Sequence, residues 1–384
     1  MPFDHPQRRS GLKIAVIGSG VSGLSAAWLL SQRHDVVVYD RDSRLGGHAC
    51  TVDVETADGG AAVDVGFIVY NEPAYPNLVA LFDHLGVKTA ETCMSFGASM
   101  RGGAVEYSGQ SLSSVFARRA NALSPRFLGM LVDVARFNRA GLKAVAEGIG
   151  HDVSLADFVR RERLGAAFVA DFLKPMASAI WSTPSTRILD FSAAAFLKFY
   201  DNHGLLRVLN MPVWRTVEGG SRRYVERLAA PIAAQARLAA PVARVIRRPE
   251  GVLVVDQTGA EDRFDAALIA THADTALSML DCPTDLESDV LGAFRYQPNV
   301  AYLHTDETQM PRSRRAWSSW NYLGDDDGAA VTYWMNRLQP LTTATNLFVT
   351  LNPRTPIAPE KILRRFDYEH PMFDLAAERA QRRL

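Results

Sequence analysis

The stretch Leu12-Lys-Ile-Ala-Val-Ile-Gly-Ser-Gly-Val-Ser-Gly23 decides the fold that this sequence predicts. Its first half, Leu12–Ile17, is a short apolar run rich in β-branched residues, which is typical of a buried parallel strand. A glycine-rich turn follows at once, and Leu24–Leu30 then carries apolar residues at helical spacing. The next apolar run, Val36–Tyr39, indicates a second strand and ends at Asp40. A strand, a glycine-rich turn, a helix and a strand ending in an acid form the dinucleotide-binding fingerprint.

Each glycine of the turn has a physical role in this fingerprint. Gly18 would make the tight turn, Gly20 would let a pyrophosphate approach the backbone, and Gly23 would let the helix pack on the strand. The helix N-terminus would offer N–H groups and a partial positive charge to the phosphates. The predicted cofactor-binding residues of this segment are therefore Gly18, Ser19, Gly20, Val21, Ser22 and Gly23.

Asp40 narrows the choice of nucleotide. It follows Gly18 at about the twenty-residue distance of an acid that binds ribose hydroxyls. Its negative charge would repel a 2′-phosphate, which disfavours NADP. NAD and FAD both remain at this point.

A glycine pair just past this acid, in Asp40-Arg-Asp-Ser-Arg-Leu-Gly-Gly-His48, favours FAD. This pattern, together with Asp64-Val-Gly-Phe-Ile-Val69, resembles the amine-oxidase and phytoene-desaturase superfamily of FAD enzymes. Within it, the chain is most similar to uncharacterised bacterial oxidoreductases predicted to bind NAD or FAD, often encoded near cyclopropane-fatty-acid synthases. His48 stands where the family often has arginine. The resemblance implies a bound FAD that is contacted by Arg41, Gly46, Gly47, His48, Gly66, Phe67 and Ile68.

The same resemblance implies an α/β fold in two parts. A Rossmann-like FAD-binding domain would have three layers, with a parallel sheet and a small antiparallel layer, and an α+β domain would bind the substrate. Val242–Ile246, Val252–Val255 and Phe264–Ala270 are strand-like. By the resemblance, the backbone of Val242 would hold the adenine and Thr271 would lie near the cofactor. The expected divisions are 10–75 and 213–290 for FAD binding, 76–212 and 291–352 for the substrate domain, and 353–384 for a C-terminal helical segment.

The middle of the chain predicts helices and aromatic strands. Pro76–Leu85 has helical spacing, and a helix over 166–181 is expected to break near Pro175. Phe196–Gly204 either lines a pocket or is a helix followed by its cap. Later strands, including 316–322, carry Trp317, Trp320 and Tyr322. An aromatic, apolar sheet would suit a hydrophobic substrate, although aromatic residues in strands are also ordinary core residues.

Composition excludes several classes of protein. The 384 residues contain 42 Lys+Arg and 42 Asp+Glu, so the charge pattern of a nucleic-acid binder is absent and no nucleic-acid partner is expected. Three cysteines without a CxxC spacing disfavour a disulfide framework or a metal site, and indicate a reducing cytoplasm. No apolar run reaches the roughly 20 residues of a membrane span, but a peripheral membrane contact stays open.

The expected function is an FAD-dependent oxidoreductase that oxidises a small hydrophobic substrate, such as a lipid, by hydride transfer to the flavin. An amine oxidase releasing peroxide and a non-catalytic nucleotide-binding protein are the alternatives. The sequence contains no visible Ser/His/Asp set, carboxylate pair or metal cluster. Catalytic residues are therefore unassigned.

The end of the chain carries one further expectation. In the superfamily, a final segment returns to the cofactor with a glycine-containing turn, whereas this sequence has no glycine after Gly328. We therefore expect either a truncated product with weaker FAD binding and an exposed sheet edge, or a flavin site closed by other means.

Overall fold

The computed structural model describes residues 11–150, 152–181, 185–207, 211–325, 328–372 and 374–383. The strands are β1 (Lys13–Ile17), β2 (Asp35–Tyr39), β3 (Thr51–Thr56), β4 (Gly59–Asp64), β5 (Val69–Asn71), β6 (Thr89–Thr92), β7 (Phe96–Met100), β8 (Val105–Ser108), β9 (Trp214–Val217), β10 (Ala236–Arg237), β11 (Val242–Arg248), β12 (Gly251–Asp256), β13 (Glu261–Phe264), β14 (Ala266–Ile269), β15 (Tyr296–His304), β16 (Trp320–Asp325), β17 (Gly328–Trp334), β18 (Phe348–Leu351) and β19 (Ile362–Pro371). The helices are α1 (Val21–Leu30), α2 (Pro76–Leu85), α3 (Leu112–Val115), α4 (Pro125–Glu147), α5 (Leu155–Arg161), α6 (Ala166–Phe168), α7 (Lys174–Trp181), α8 (Ala193–Asn202), α9 (Arg222–Ala229), α10 (Ala273–Met279), α11 (Asp285–Leu291), α12 (Met335–Leu338) and α13 (Leu375–Gln381).

The chain divides into two compact units. The first unit consists of Met1–Thr51, Phe82–Val87 and Gly219–Phe294. The second unit consists of Val52–Leu81, Lys88–Glu218 and Arg295–Leu384. These bounds differ from the expected FAD-binding part 10–75, because the segment after Thr51 groups with the second unit. There β5 pairs with β9, which also pairs with β6.

The first unit contains a parallel sheet in the order β10-β2-β1-β14. Its central strands are apolar on both faces, and Ala15, Val16 and Val38 are fully buried. The antiparallel strands β11, β12 and β13 form a second layer, whose Val254 and Phe264 share a core with the sheet. The predicted α/β architecture, with its parallel sheet and small antiparallel layer, is confirmed.

Asp265 divides the run 264–270, which the sequence predicts as one strand. Its backbone N donates to Lys13 O at 2.8 Å, and its carboxylate accepts from Lys13 N at 2.7 Å. The chain therefore leaves the antiparallel layer at Phe264 and enters the parallel sheet at Ala266.

The second unit has a seven-stranded sheet in the order β19-β15-β18-β17-β16-β7-β8. Strand β16 pairs with β7 in parallel and with β17 in an antiparallel arrangement. Helices of this unit enclose an aromatic core that includes Phe137, Phe158, Phe168 and Phe196. A sheet and helices in separate runs of sequence fit the predicted α+β class.

The segment 353–384 differs from its predicted helical structure. In the described part of this segment, the α-helix is limited to Leu375–Gln381, and the ten residues Ile362–Pro371 form β19 at the edge of the sheet. Phe366, Tyr368 and His370 are half-buried and alternate with exposed residues, which is the period of a strand.

Two other predicted elements are shifted. The strand expected from residue 316 begins at Trp320, because Asn321 Oδ1 accepts from Ser318 N at 2.9 Å and holds a turn there. The helical run 166–181 is interrupted before Pro175, by a π-helical turn over Val169–Leu173. Among the described residues, no helix combines the length and the apolar character needed to cross a membrane.

Candidate functional site

The glycine-rich turn joins β1 to α1 in the first unit. Gly18 has a φ of +100°, which favours glycine, and a Cβ there would lie 2.7 Å from Ala270 O. A Cβ on Gly23 would overlap the carbonyl oxygen of Gly18. Gly20 differs, because its φ is −61° and a Cβ there would meet no atom of the described residues within 4 Å. Open space therefore borders Gly20 at the point where the helix begins.

The start of α1 is suited to an anion. Gly20 is its N-cap, and no side chain in the described part of the chain caps the first turn. The first amides of a helix lack partners within the helix and carry a partial positive charge. Val21 and Ser22, both predicted to bind the cofactor, are exposed at this end.

A second glycine-containing loop lies against the turn. Gly46 N donates to Ser19 O at 3.0 Å, and a Cβ on Gly47 would lie 3.0 Å from Gly20 Cα. Arg44 holds this loop, because its Nη2 donates to Gly47 O at 2.7 Å. Backbone without side chains therefore borders the open space from two directions.

Asp40 follows β2 at the carboxyl edge of the parallel sheet. Ser19 N donates to Asp40 Oδ2 at 2.7 Å, and the Ser19 hydroxyl donates to the same oxygen. Asp42 N donates to Asp40 Oδ1 at 2.8 Å. A carboxylate has about four lone-pair sites, so Asp40 can still accept from a ribose hydroxyl. Ser19 is fully buried and orients this acid.

Two histidines stand beside the glycine loops. The rings of His48 and His272 are stacked, with centroids 6.3 Å apart and planes 18° apart. Burial, the adjacent His272 and the nearby Arg44 and Arg41 lower the pKa of His48, although the residue keeps access to solvent. The lowered pKa favours the neutral form of the His48 ring.

Thr271 also lies at this edge of the sheet. Its Cγ2 would be 3.2 Å from a Cβ placed on Gly18, and its hydroxyl donates to His272 O at 3.1 Å. The structure thus brings Thr271 together with the glycine turn, and its contact with the cofactor stays a prediction.

The remaining predicted cofactor residues lie outside the two glycine loops in the sequence. The side chain of Arg41 is 70% exposed, with Nε 3.9 Å from Asp42. Val242 is in β11, half-buried against the core of the antiparallel layer. Gly66, Phe67 and Ile68 belong to the second unit, where Ile68 O accepts from Thr216 Oγ1 at 2.9 Å. Their placement beside a flavin ring stays a prediction.

The residues of the first unit fit an FAD. Open space at the start of α1 would receive the pyrophosphate, the glycine loops would let it approach the backbone, and Asp40 would accept from the ribose. This geometry serves NAD equally well, because both nucleotides share these groups.

The second unit contains a cavity of about 460 Å³. Tyr322 of β16 contributes to its wall and belongs to an apolar cluster with Phe127. Trp317, by contrast, packs in a core cluster with Met310 and Phe348. The predicted aromatic residues thus divide between a cavity and an ordinary core.

The aromatic segment before Gly204 is a helix followed by its cap. α8 ends at Asn202, and His203 is the C-cap, with its ring 3.8 Å from that of Phe199. Burial lowers the pKa of His203, whose Nδ1 lies 2.8 Å from Phe199 O. The helix-and-cap interpretation of this segment is confirmed.

Sequence reasoning missed two arginines. Arg44 holds the second glycine loop through its hydrogen bond to Gly47 O. Its position just before a glycine pair is the sequence signal that could have indicated this role. Arg101 of the second unit has a φ of 51° and lines the cavity. It too precedes a glycine pair, Gly102 and Gly103.

Fold and turn together define a dinucleotide-binding protein. A model of the family "Flavin containing amine oxidoreductase" matches residues 21–351, so the chain belongs to this family. This membership confirms the predicted superfamily and its FAD cofactor.

Individual relatives differ in the activities that they are named for. AofH of Mycobacterium tuberculosis, whose name assigns it to the flavin-containing monoamine oxidases, is 27% identical over 270 residues, 65% of this chain and 55% of that protein. Coproporphyrinogen III oxidase of the same species is 25% identical over 288 residues, 69% of this chain and 60% of that protein. The chain thus spans little more than half the length of these relatives.

A solved structure shares the fold over nearly the whole chain. A fatty acid isomerase from P. acnes that produces CLA has a TM-score of 0.65 and 15% identity, and the match covers 98% of this chain and 90% of that one. At this identity the likeness concerns the fold alone.

Proposed function

We propose that this protein is an FAD-dependent oxidoreductase that oxidises a hydrophobic substrate. The observation that carries the proposal is the nucleotide cradle of the first unit: open space at Gly20, bordered by Gly46 and Gly47, beside the acid Asp40. Family membership favours FAD over NAD as the nucleotide in this cradle.

The chain's own residues would hold and orient the cofactor. The first amides of α1 would bind the pyrophosphate, and Asp40, oriented by Ser19, would bind the ribose. Arg44 would act as a positioning residue by fixing Gly47. The bound flavin would supply the redox chemistry, by accepting a hydride from the substrate.

A hydrophobic substrate is supported by the second unit. Its cavity of about 460 Å³ lies within the size range of small-molecule sites, and Met100, Ala170 and Tyr322 give part of its wall an apolar character. A lipid would meet these requirements.

The test begins with the colour of the purified full chain. A flavin spectrum is expected, and Gly20→Ala is expected to lose it while keeping the fold. The holoprotein is then mixed anaerobically with fatty acids, porphyrinogens and primary amines, and bleaching of the flavin band is followed. Bleaching by an apolar compound supports the proposal, whereas a colourless chain that cannot be loaded with FAD refutes it.

An amine oxidase is the second candidate, favoured by the 27% identity to AofH. It predicts bleaching by amines and release of peroxide when oxygen is admitted. If amines alone bleach the flavin, this second function replaces the first. If no class of donor does so, only nucleotide binding remains.

A further inference from the structure

Residues from distant parts of the sequence form the cavity of the second unit. Strands β7 and β16 supply Met100, Tyr322 and Gly324, and the helical run before α7 supplies Ala170 and Asp171. Ser185 and Thr186 add hydroxyl groups, and Arg101 and Lys174 add two cationic side chains. The lining therefore includes both apolar side chains and hydrogen-bond donors.

Among the described residues that line this cavity, Arg101 and Lys174 are cationic and Asp171 is acidic. Asp171 is buried and accepts from Arg101, and Arg126 binds it through Nε at 2.8 Å and Nη2 at 3.1 Å. Both guanidinium groups therefore pair with Asp171. Lys174 adds another charge and has no ion-pair or hydrogen-bond partner among the described residues.

The backbone around Arg101 is held in an unusual conformation. Arg101, Gly102 and Gly103 have φ values of 51°, 60° and 87°, so an arginine occupies a left-handed turn that residues with a Cβ seldom adopt. Such conformations persist where the surrounding structure fixes them, and they cluster at ligand sites. Here the ion pair with Asp171 fixes the arginine beside the cavity.

The helical run that supplies Asp171 is also fixed by a specific contact. Pro175 has no N–H to donate to Asp171 O, four residues earlier, and the Tyr107 hydroxyl donates to this carbonyl at 2.7 Å instead. The π-helical turn at Val169–Leu173 lies directly before it, and such turns are frequent at functional sites. Lys174 therefore extends from a locally rigid segment.

We infer that this cavity binds an anionic group, a carboxylate or a phosphate monoester, that is attached to an apolar chain. Arg101 and Lys174 bind the anion, the hydroxyls of Ser185 and Thr186 donate to it, and the apolar part of the wall receives the chain. The inference rests on the proposed function, since it makes the hydrophobic substrate an acid.

The test is a calorimetric titration of the purified full chain with octanoate, octyl phosphate and octanol. Octanoate or octyl phosphate is expected to bind at least about ten-fold more tightly than octanol, since a hydrogen bond to a charged group contributes about 1.5–3 kcal/mol. Whichever anion binds more tightly identifies the headgroup. Equal affinity for octanol and both anions overturns the inference.

Lys174→Met isolates the charge without removing a structural contact. It is expected to weaken binding of the tighter anion about ten-fold, and Lys174→Arg is expected to restore most of it. Lys198→Met, at an exposed lysine of the same unit, is the matched control and is expected to change affinity less than about two-fold. Unchanged binding by a folded Lys174→Met variant overturns the assignment of Lys174.

Failure of this inference can be told apart from failure of the proposed function, because the titrations require no turnover. Bound octanoate without flavin reduction by any donor leaves the anion site standing and refutes the oxidoreductase. Flavin reduction by a neutral hydrophobic compound, with no anion bound, supports the oxidoreductase and refutes the anion site.

Discussion

The two units differ in how their candidate sites are distributed along the sequence. In the first unit, Gly18, Gly20 and Gly23 lie within six residues, and the nearby run 40–48 completes the cradle. In the second unit, Arg101, Asp171 and Tyr322 come together only through the fold of the whole unit. A site built on one local turn depends on backbone geometry, whereas a site built from distant residues depends on packing and charge. Substitutions should therefore act differently in the two units.

The largest effect is expected for Gly23→Ala in the first unit. The new Cβ would overlap Gly18 O, so helix α1 would have to move away from the sheet. We expect a loss of about 4 kcal/mol or more in the free energy of unfolding, together with loss of flavin. Urea denaturation followed by circular dichroism measures this loss. A stable, yellow Gly23→Ala protein would contradict the claim that the site of the first unit depends on the backbone geometry of this turn.

Gly20→Ala separates the cofactor role of the turn from its structural role. The added Cβ meets open space and the φ of −61° suits alanine, so unfolding should change by about 1 kcal/mol or less, the effect of replacing an N-cap. Flavin affinity should fall about 100-fold, because the methyl group displaces the phosphate from charge-assisted hydrogen bonds.

Fluorescence titration with FAD measures the Gly20→Ala effect, and Gly109→Ala is a control. A Cβ on Gly109, in the second unit, also meets no described atom within 4 Å. Equal loss of affinity in both variants would mean that the effect is not specific to the cradle.

His304 gives the second unit a pH-dependent stability. It is fully buried in β15, where Asp306 N donates to its Nδ1 at 3.0 Å and its Nε2 lies 2.7 Å from Thr350 Oγ1. Burial lowers its pKa to about 4, against the opposing effect of the Asp306 charge. Nδ1 accepts a hydrogen bond, so the folded protein holds the neutral ring.

The sign of this effect follows from proton uptake. Between about pH 6.5 and pH 4, the unfolded chain binds a proton at His304 that the folded chain does not bind. Stability is therefore intact above pH 6.5 and falls as the pH drops, by a total on the order of 2–3 kcal/mol. His304→Gln should reduce this slope in denaturant titrations at several pH values, and an unchanged slope would exclude His304 as the cause.

A smaller effect is expected at Arg44. Removing its hydrogen bond to Gly47 O in Arg44→Ala should loosen the second glycine loop and weaken FAD binding about ten-fold. Arg44→Lys keeps the charge but not the planar fork, and should recover only part of the affinity. Arg33→Ala, at an exposed arginine of the same unit, is the control. If both alanine variants bind FAD equally well, Arg44 has no positioning role.

The first unit could be predicted because its signals are local and redundant. Apolar runs, glycine spacing and the acid at the end of β2 agree with one another, and the structure reproduces β1, α1 and β2 to within a few residues. Prediction was less successful where a tertiary contact decides the local structure. Asp265 separates β13 from β14 through its hydrogen bonds to Lys13, and the hydrophobic periodicity of the sequence does not indicate this break.

The second unit shows why the remaining features could not be predicted. Phe366, Tyr368 and His370 alternate as in a strand, whereas the sequence analysis predicts a helical C-terminal segment; the pairing with β15 is the tertiary contact that fixes the strand. Asp171 could not be assigned, because its partners Arg101 and Arg126 lie 70 and 45 residues away in the sequence. The charged residues at this cavity are neighbours only in the folded structure, so they follow no regular spacing in the sequence from which they could be predicted.

The smallest expected effect concerns His48 and the pH dependence of FAD binding. It tests whether the cradle of the first unit extends beyond the glycine loops and Asp40 to His48. In the protein without nucleotide, burial and the adjacent His272 lower the pKa of His48. A pyrophosphate bound near Gly47 would raise that pKa, because an anion favours the imidazolium form. Binding would then take up a proton, so FAD affinity should rise about three-fold as the pH falls from 8 to 6. Fluorescence titrations at several pH values measure this change.

His48→Arg carries a permanent charge, so its affinity should vary less with pH and exceed that of the native chain at pH 8. If FAD affinity depends on pH identically in the native chain and in His48→Gln, His48 lies outside the cradle. The cradle then consists of the glycine loops and Asp40.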